Sequence, residues 1–434
     1  MRKYFIETFG CQMNEFDSER IEFLLEEMGF EKENDTGRAD LIIVNTCAVR
    51  EKAKNKLYGH LGRYKEFKTK NPDLLICVGG CTAQNLKMQI LDDFPFVDIV
   101  FGTHNISGLP SMIGKRLKDG EKICATPDEG FDYDLKKFKR TYSFKSYLPV
   151  SVGCNNFCSY CIVPFVRGRE ISINPELILE NIEKLTGKGV VEITLVGQNV
   201  NSYGKDLENP VSFSELLKKI SAVKGLKRIR FMTSHPKDFS DELIDTIAGR
   251  DNIMPHIHLP LQSGSDRILK LMNRDYTGND FLGLTEEIRK RICNCAITTD
   301  IIVGFPGEEE KDFYDTLDLV KKIRFERAFT FIYSKREGTR AAEFDDNIPL
   351  KVKKEFFKEL VDVQNKISLE KNQLKTGNEY EVLVEGKGPK NTFEGRLEDN
   401  TLVNFEHDEE GIAGEFINVR ITGAKSFYLK GRKI

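Results

Sequence analysis

Apolar residues in the N-terminal quarter of the chain fall into continuous runs rather than alternating ones. Lys3–Thr8, Leu41–Thr46 and Leu74–Gly80 are short and rich in β-formers. A helical pattern follows each, over Asp17–Met28, Val49–Lys65 and Ala83–Leu91. Continuous apolar strands alternating with helices predict a parallel α/β sheet covered on both faces. Ile106–Leu117 reads as one more helix, and Lys118–Lys145, rich in charge and turn formers, as a linker. From Tyr147 the alternation resumes, with strands at Tyr147–Val152, Val191–Val196, Arg228–Met232, His256–Leu259, Thr298–Val303 and Phe329–Tyr333. Helices are expected at Pro175–Leu185, Ser214–Val223, Asp241–Ala248, Asp266–Met272 and Asp312–Ile323, the first with Asn174 as its cap. A full barrel needs eight such units, so six predict an open (βα)6 partial barrel. Lys351–Leu374 reads as a long charged helix. Beyond Gly377 come short strands, Tyr380–Val384, Thr392–Arg396, Leu402–Phe405, Phe416–Ile421 and Ser426–Leu429. They predict a small antiparallel β-barrel of the oligonucleotide-binding kind. The expected division is 1–117, a linker at 118–145, a core at 146–368 and a small barrel at 369–434.

Composition adds limits. The chain has 434 residues, 40% hydrophobic and 31% charged, with a net charge of −3. No apolar run approaches the roughly 20 residues that span a bilayer, and Met1–Phe5 reads as a strand rather than a signal peptide, so the expected location is cytoplasmic. Global charge announces no nucleic-acid partner, which leaves local patches. Lys136-Lys137-Phe138-Lys139-Arg140 is one, either a solvated connector or a nucleic-acid contact. From Glu370 onward 10 Lys or Arg face 12 Asp or Glu, so RNA binding there needs a patch such as Lys387, Lys390, Phe393 and Arg396.

Ten cysteines in a reducing compartment point to metal or redox chemistry. Each N-terminal strand ends at one: Cys11, Cys47 and Cys81. Parallel α/β sheets hold ligands at that edge. Unrelated buried thiols are the alternative, and Cys77, inside the third strand, fits it. Cys124 shares no spacing with the others. In the partial barrel, Gly153-Cys154-Asn155-Asn156-Phe157-Cys158-Ser159-Tyr160-Cys161 follows the first strand. Three thiolates this close can hold three irons of a [4Fe–4S] cluster and leave the fourth open. A zinc site would want a fourth ligand nearby, and Cys124 and His235 are distant in sequence. Polar strings end the other strands: Gly197-Gln198-Asn199, Ser234-His235, Gln262-Ser263-Gly264 and Gly304-Phe305-Pro306-Gly307-Glu308. His256 and His258 read as structural, and Cys293 and Cys295, before a strand, as inert.

The three-cysteine string, the strand-end cysteines and the domain order together resemble the methylthiotransferase family of radical S-adenosylmethionine (SAM) enzymes, over essentially the whole chain. Thr8-Phe9-Gly10-Cys11-Gln12-Met13-Asn14 with Asp17-Ser18-Glu19 resembles the branch acting on isopentenylated adenosine in tRNA. Branches acting on threonylcarbamoyladenosine or on a ribosomal protein carry Lys-Val or Pro-Lys after that cysteine, and neither pair is present. Leu259–Ser265 and Ile302–Glu308 also match. Two strings depart: Arg167-Gly168-Arg169-Glu170-Ile171-Ser172-Ile173 lacks the family's last Arg, and Tyr333-Ser334-Lys335-Arg336-Glu337-Gly338-Thr339 replaces Tyr-Ser-Pro-Arg-Pro-Gly-Thr. The resemblance implies one [4Fe–4S] cluster on Cys154, Cys158 and Cys161 that chelates SAM, and a second on Cys11, Cys47 and Cys81 that carries sulfur. It implies a C-terminal TRAM domain that binds RNA. It further implies cleavage of SAM to a 5′-deoxyadenosyl radical, hydrogen abstraction at carbon 2 of the base beside the anticodon, and methylthiolation there. Tyr160, Gly197, Gln198, Asn199, Ser234 and Gln262 are expected around SAM, with Arg167 and Arg169 near substrate or the SAM carboxylate. The expected partners are an isopentenylated tRNA and an electron donor such as flavodoxin or ferredoxin; the chain is expected to act as a monomer, away from membranes.

Overall fold

The computed structural model describes residues 2–48, 51–130, 132–407 and 411–434. Val49, Arg50 and the acidic Asp408–Glu410 lie outside them. The N-terminal sheet has six strands: β1 (Lys3–Phe9), β2 (Glu31–Lys32), β3 (Leu41–Thr46), β4 (Leu75–Gly80), β5 (Ile99–Phe101) and β6 (Ile123–Ala125). Their order is β2-β1-β3-β4-β5-β6, and every pairing is parallel. The sequence pattern showed only β1, β3 and β4. The other three are two or three residues long, too short to display a period. β6 lies inside the stretch read as a linker. Where β3 and β4 run between two helix layers they are buried at every residue, which is why their sequences are continuously apolar.

The middle of the chain forms β7 (Lys145–Pro149), β8 (Ser151–Val152), β9 (Ile171–Ser172), β10 (Glu192–Val196), β11 (Arg228–Phe231), β12 (His256–His258), β13 (Ala296–Val303) and β14 (Arg327–Ile332). The six major strands are parallel, in two three-stranded ladders, β11-β10-β7 and β12-β13-β14. A bridge from Ile229 of β11 to Ile253, just before β12, and a bond from Ser234 N to His258 O (3.2 Å) join the ladders. Pro149, which has no N–H, stands where the predicted first strand splits. Ile193, Leu195, Ile229, Ile257, Ile297 and Val303 pack on the surrounding helices. Asn174 caps Pro175–Thr186 by accepting from the N–H groups of Glu176 and Leu177, as the sequence predicts. Met13 and Phe16, from the N-terminal helix Gln12–Glu27, join this same core, so the first domain is packed onto the partial barrel.

The C-terminal strands, β15 (Glu379–Lys387), β16 (Phe393–Arg396), β17 (Leu402–Glu406), β18 (Phe416–Ala424) and β19 (Leu429–Lys433), close a barrel in the order β15-β16-β17-β19-β18. It is not wholly antiparallel as expected: β17 and β19, which are not consecutive, pair in parallel. The last strand starts where the predicted one ended. Side chains draw the preceding carbonyls away: Asn372 donates to Lys425 O (2.7 Å) and Arg327 to Phe427 O (2.7 Å). This barrel is bolted to the inner face of β11. Arg228, 2% exposed, donates to Arg396 O, and Arg230 donates to Leu397 O and Glu398 O at 2.8 and 2.7 Å. Two members of the suggested RNA patch are engaged within the protein. Phe393 is 7% exposed and stacks on Phe405 in the barrel core, and Arg396 is paired with Glu385. The basic stripe is partly committed as well. Phe138 packs against Phe16, and Lys139 pairs with Glu26.

Candidate active site with two cysteine triads

The first triad is assembled by topology. β1, β3 and β4 are neighbours, and Cys11, Cys47 and Cys81 follow their carboxyl ends. Cys11 is the N-cap of Gln12–Glu27 and Cys81 opens Cys81–Leu86, so two of the sulfurs sit at helix N-termini, where the dipole favours thiolate. A buried amide network fixes the spacing. Asn14 Nδ2 donates to Asn45 Oδ1 (3.2 Å), and Asn45 Nδ2 donates to Asn14 O and Ser18 Oγ (2.9 Å each). At Gly80, φ is +88° and a Cβ would stand 2.3 Å from Asn45 Oδ1, so no side chain fits there. A hydrogen bond with Cys47 lowers Cys11 to about 6 against the opposing effect of burial, with help from the Arg167 charge. Burial raises Cys81, and Arg167 opposes it.

Arg167 is placed differently from expectation. It is 3% exposed and points away from the barrel mouth into the first triad, donating from Nε to Cys81 Sγ (3.2 Å) and from Nη2 to Asp17 Oδ2 (2.7 Å). Nη1 donates to Tyr133 OH, whose hydroxyl donates to Asp17 Oδ1 (3.2 Å). The Asp17 carboxylate claims this guanidinium because a buried charge must be paired, so it is withdrawn from any SAM carboxylate. Arg167 ends the helix Val163–Arg167, which begins just past Cys161, and thus ties one triad to the other. Arg169 is exposed, its guanidinium 4.5 Å above the Phe157 ring, on the outside of the loop.

The second triad needs only a loop. Phe157 turns it with φ +46°. Asn273 Nδ2 donates to the carbonyls of Asn156 and Phe157 (3.1 and 3.0 Å), and Ser159 N donates to Met272 O (3.0 Å). Arg274 donates to Cys158 Sγ at 3.4 Å and to Pro260 O at 3.0 Å; Asn156 Nδ2 donates to Cys154 Sγ at 3.6 Å. Burial, then the neighbouring Cys158 and Cys154, push the Cys161 thiol up to about 12. Three crowded, mutually repelling thiolates need a cationic centre, which is the donor chemistry of an iron–sulfur cluster. Among the described residues, no group of three or more His, Cys, Asp or Glu closes on a single ion. Arg274 carries no sequence signal: it lies outside any motif and is recruited by the fold.

The expected SAM residues divide. Gln198 Oε1 accepts from Gly153 N at 2.5 Å, so the Gly197-Gln198-Asn199 turn touches the cysteine loop itself. A Cβ at Gly197 would meet Ser151 Oγ at 2.8 Å. Asn199 Nδ2 donates to Asp238, while Asn199 Oδ1, Ser234 Oγ and Ser151 Oγ are buried with no protein partner. Buried polar atoms are nearly always satisfied, so three orphans at neighbouring strand ends fit a polar ligand such as SAM. Ser151 is new; nothing in its sequence context singled it out. Gln262 has φ +68° and is 8% exposed; its backbone N–H donates to Asp300 O and its carbonyl accepts from Ile302 N. Tyr160 packs against the cluster that contains Phe305 and Tyr333. Ile173, where the family string has Arg, is 2% exposed in the apolar core, an environment that suits isoleucine and not a charge.

Residues 3–102 match the Uncharacterized protein family UPF0004, 148–320 the Radical SAM superfamily and 373–434 the TRAM domain. The chain is 50% identical to a tRNA-2-methylthio-N(6)-dimethylallyladenosine synthase of Clostridium botulinum (strain Langeland), covering 100% of this chain and 97% of that protein. It is 47% identical to a protein of the same name from Carboxydothermus hydrogenoformans, covering 99% of each. Among solved structures, the radical S-adenosylmethionine methyltransferase TsrM from Kitasatospora setae superposes with a TM-score of 0.58 at 14% identity, over 79% of this chain and 75% of that one. That likeness speaks for the fold.

Proposed function

The chain belongs to the family of tRNA-2-methylthio-N(6)-dimethylallyladenosine synthases, and from that premise we propose that it methylthiolates carbon 2 of an isopentenylated adenosine beside the anticodon of tRNA. The observation that carries this reading is the pair of cysteine triads, brought to strand ends of two packed domains and linked through Arg167. Cys154, Cys158 and Cys161 would hold one [4Fe–4S] cluster and Cys11, Cys47 and Cys81 another. When bound, these clusters and SAM supply hydrogen abstraction at carbon 2 and the sulfur and methyl group placed there. The protein's own share is positioning. Asn199, Ser234 and Ser151 offer their unpartnered oxygens to SAM, and Gln198 pins the turn to the cysteine loop. Arg274 donates to Cys158, and Arg167 donates to Cys81. Packing of Met13 and Phe16 into the core of the partial barrel fixes the first domain against the second.

The C-terminal barrel serves tRNA binding, with Lys387 and Lys390 exposed on its β15–β16 turn. A flavodoxin- or ferredoxin-type protein supplies the electron. We infer that the chain acts as a monomer in the cytoplasm; both triads come from one chain. Among the described residues no helix is long and apolar enough to cross a membrane. Anaerobic reconstitution with iron, sulfide, SAM, reductant and isopentenylated tRNA tests the reading by mass spectrometry of the digested nucleosides. Methylthiolated isopentenyladenosine is expected; its absence from tRNA carrying a full iron complement would overturn it.

A further inference from the structure

Two large aromatic side chains stay exposed on a strand that could have buried them. Phe329 and Phe331, both on β14, each keep 40% of their surface. Their sequence neighbours Ala328 and Ile332 pack against the helix-side core. By the two-residue period of a strand, Phe329 and Phe331 therefore face the inside of the partial barrel. The register agrees: Asp300 pairs with Phe329, and Ile302 with Phe331. Ile302 and Tyr160, the residue before Cys161, pack against the same cluster of Phe305 and Tyr333, so the row of Phe331 leads towards the cysteine loop. The row of Phe329 leads to Asp300, whose Oδ2 is 3.5 Å from His258 Nε2, and the His258 ring stands edge-on to Phe329 at 5.9 Å. Below, Phe329 borders a cavity lined by Asp399, Asn400 and Thr401 of the C-terminal barrel. Across the lumen, Ser151, Asn199 and Ser234 carry the unpartnered oxygens. One wall is polar and unsatisfied; the other is aromatic and open.

We propose that Phe329 and Phe331 form the platform that takes the prenylated adenine of the tRNA substrate, the purine face against one ring and the aliphatic tail against the other. This rests on the function proposed above. The two walls make the assignment. SAM, with its charged amino-acid moiety, suits the polar wall. An N6-prenylated adenine offers a π-face and a branched apolar tail, and it needs an apolar wall within reach of the cysteine loop. A single base drawn out of an RNA loop is commonly held by stacking on aromatic side chains. Asp300, 30% exposed beside Phe329, supplies an acceptor for the one N–H that an N6-alkylated adenine retains.

The test uses the reconstituted enzyme and two anticodon stem-loop RNAs, identical except for the isopentenyl group. Wild type is expected to bind the prenylated RNA more tightly. Phe331→Ala and Phe329→Ala are expected to weaken that binding about tenfold, the usual scale for losing one stacking partner, and to weaken the unprenylated RNA less. Phe331→Tyr, which keeps a ring, is expected to retain most of the preference. A second measurement needs no truncation: 4-fluorophenylalanine placed at 331 should change its fluorine resonance on adding prenylated RNA, and less with the unprenylated RNA. Alanine variants that keep the wild-type preference, together with an unmoved resonance, would overturn the platform while leaving the proposed function standing. Failure of wild type to make methylthiolated product from prenylated tRNA would sink the function, and the platform with it.

Discussion

Cys154, Cys158 and Cys161 lie on one loop, held by backbone turns and by Asn273 and Arg274. Cys11, Cys47 and Cys81 stand on three strand ends and share no loop. The first arrangement needs little more than a correct turn. The second needs a correct sheet, since a slip of one residue in β3 would turn Cys47 to the other face. The structure spends its buried polar groups accordingly. Asn14, Asn45, Asp17, Tyr133 and Arg167 surround the dispersed triad, while the local one is braced chiefly by backbone carbonyls and two donated bonds. Precision that sequence proximity provides for one site is provided by tertiary hydrogen bonds for the other.

The largest break in this comparison comes from the cysteines themselves. Cys158→Ala should abolish reductive cleavage of SAM to 5′-deoxyadenosine. Cys47→Ala should spare that cleavage and abolish the methylthiolated nucleoside, because the two triads occupy separate domains joined by geometry. Measuring both products for each variant decides it. Methylthiolated product from Cys47→Ala would return the strand-end cysteines to inert thiols. Iron content should fall from about eight to about four when either triad is replaced by alanine.

Next in size is Arg167. Arg167→Met leaves Asp17 buried with only Tyr133 beside it, and removing one partner of a buried pair costs about 3–5 kcal/mol. Urea denaturation should show that loss. Iron from the first triad should be depleted before iron from the second. The matching Arg274→Met is expected to do the opposite and affect the loop cluster first. If both variants lost iron equally from both triads, the two sites would be one cooperative unit.

Proton linkage separates the triads more gently, in metal-free protein. Cys11 is lowered from 9.0 to about 6, chiefly by the Cys47 hydrogen bond. Its contribution to stability is full above pH 9 and is lost as pH falls through 6. Cys161 is raised from 9.0 to about 12, chiefly by burial. Its contribution is full below pH 9 and is lost as pH rises towards 12. Alkylation with iodoacetamide, read by peptide mass spectrometry, should label Cys11 with a midpoint near 6 and leave Cys161 largely unlabelled at pH 9. Equal labelling at neutral pH would refute the contrast.

The smallest effect lies far from both triads. Deleting the C-terminal barrel is a poor probe of RNA binding, because it strips Arg228 and Arg230 of their carbonyl partners. Lys387→Glu with Lys390→Glu is cleaner. Stability should hold within about 0.5 kcal/mol, as for ordinary surface changes. The salt dependence of tRNA affinity should become shallower, by roughly one unit of slope per lost phosphate contact. An unchanged slope would move the RNA face elsewhere on the barrel.

Local pattern determined the order of elements, the parallel sheet, the partial barrel and the closed β-barrel. It also determined the loop triad, because thiols three and two residues apart cannot escape one another. The strand-end cysteines were legible one step further on, through the rule that ligands gather at the carboxyl edge of parallel strands. Sequence could not show what each long side chain would do once several partners competed for it. Arg167, read near substrate or the SAM carboxylate, was claimed by Asp17 and Cys81; Arg396 and Phe393, read as RNA contacts, went to an ion pair and a core; Arg274 and Ser151 gave no sign at all. A strand's face follows from a two-residue period that the chain carries with it. The partner of a buried charge is chosen by which opposite charge the packing brings within a few ångströms, and only the tertiary structure decides that.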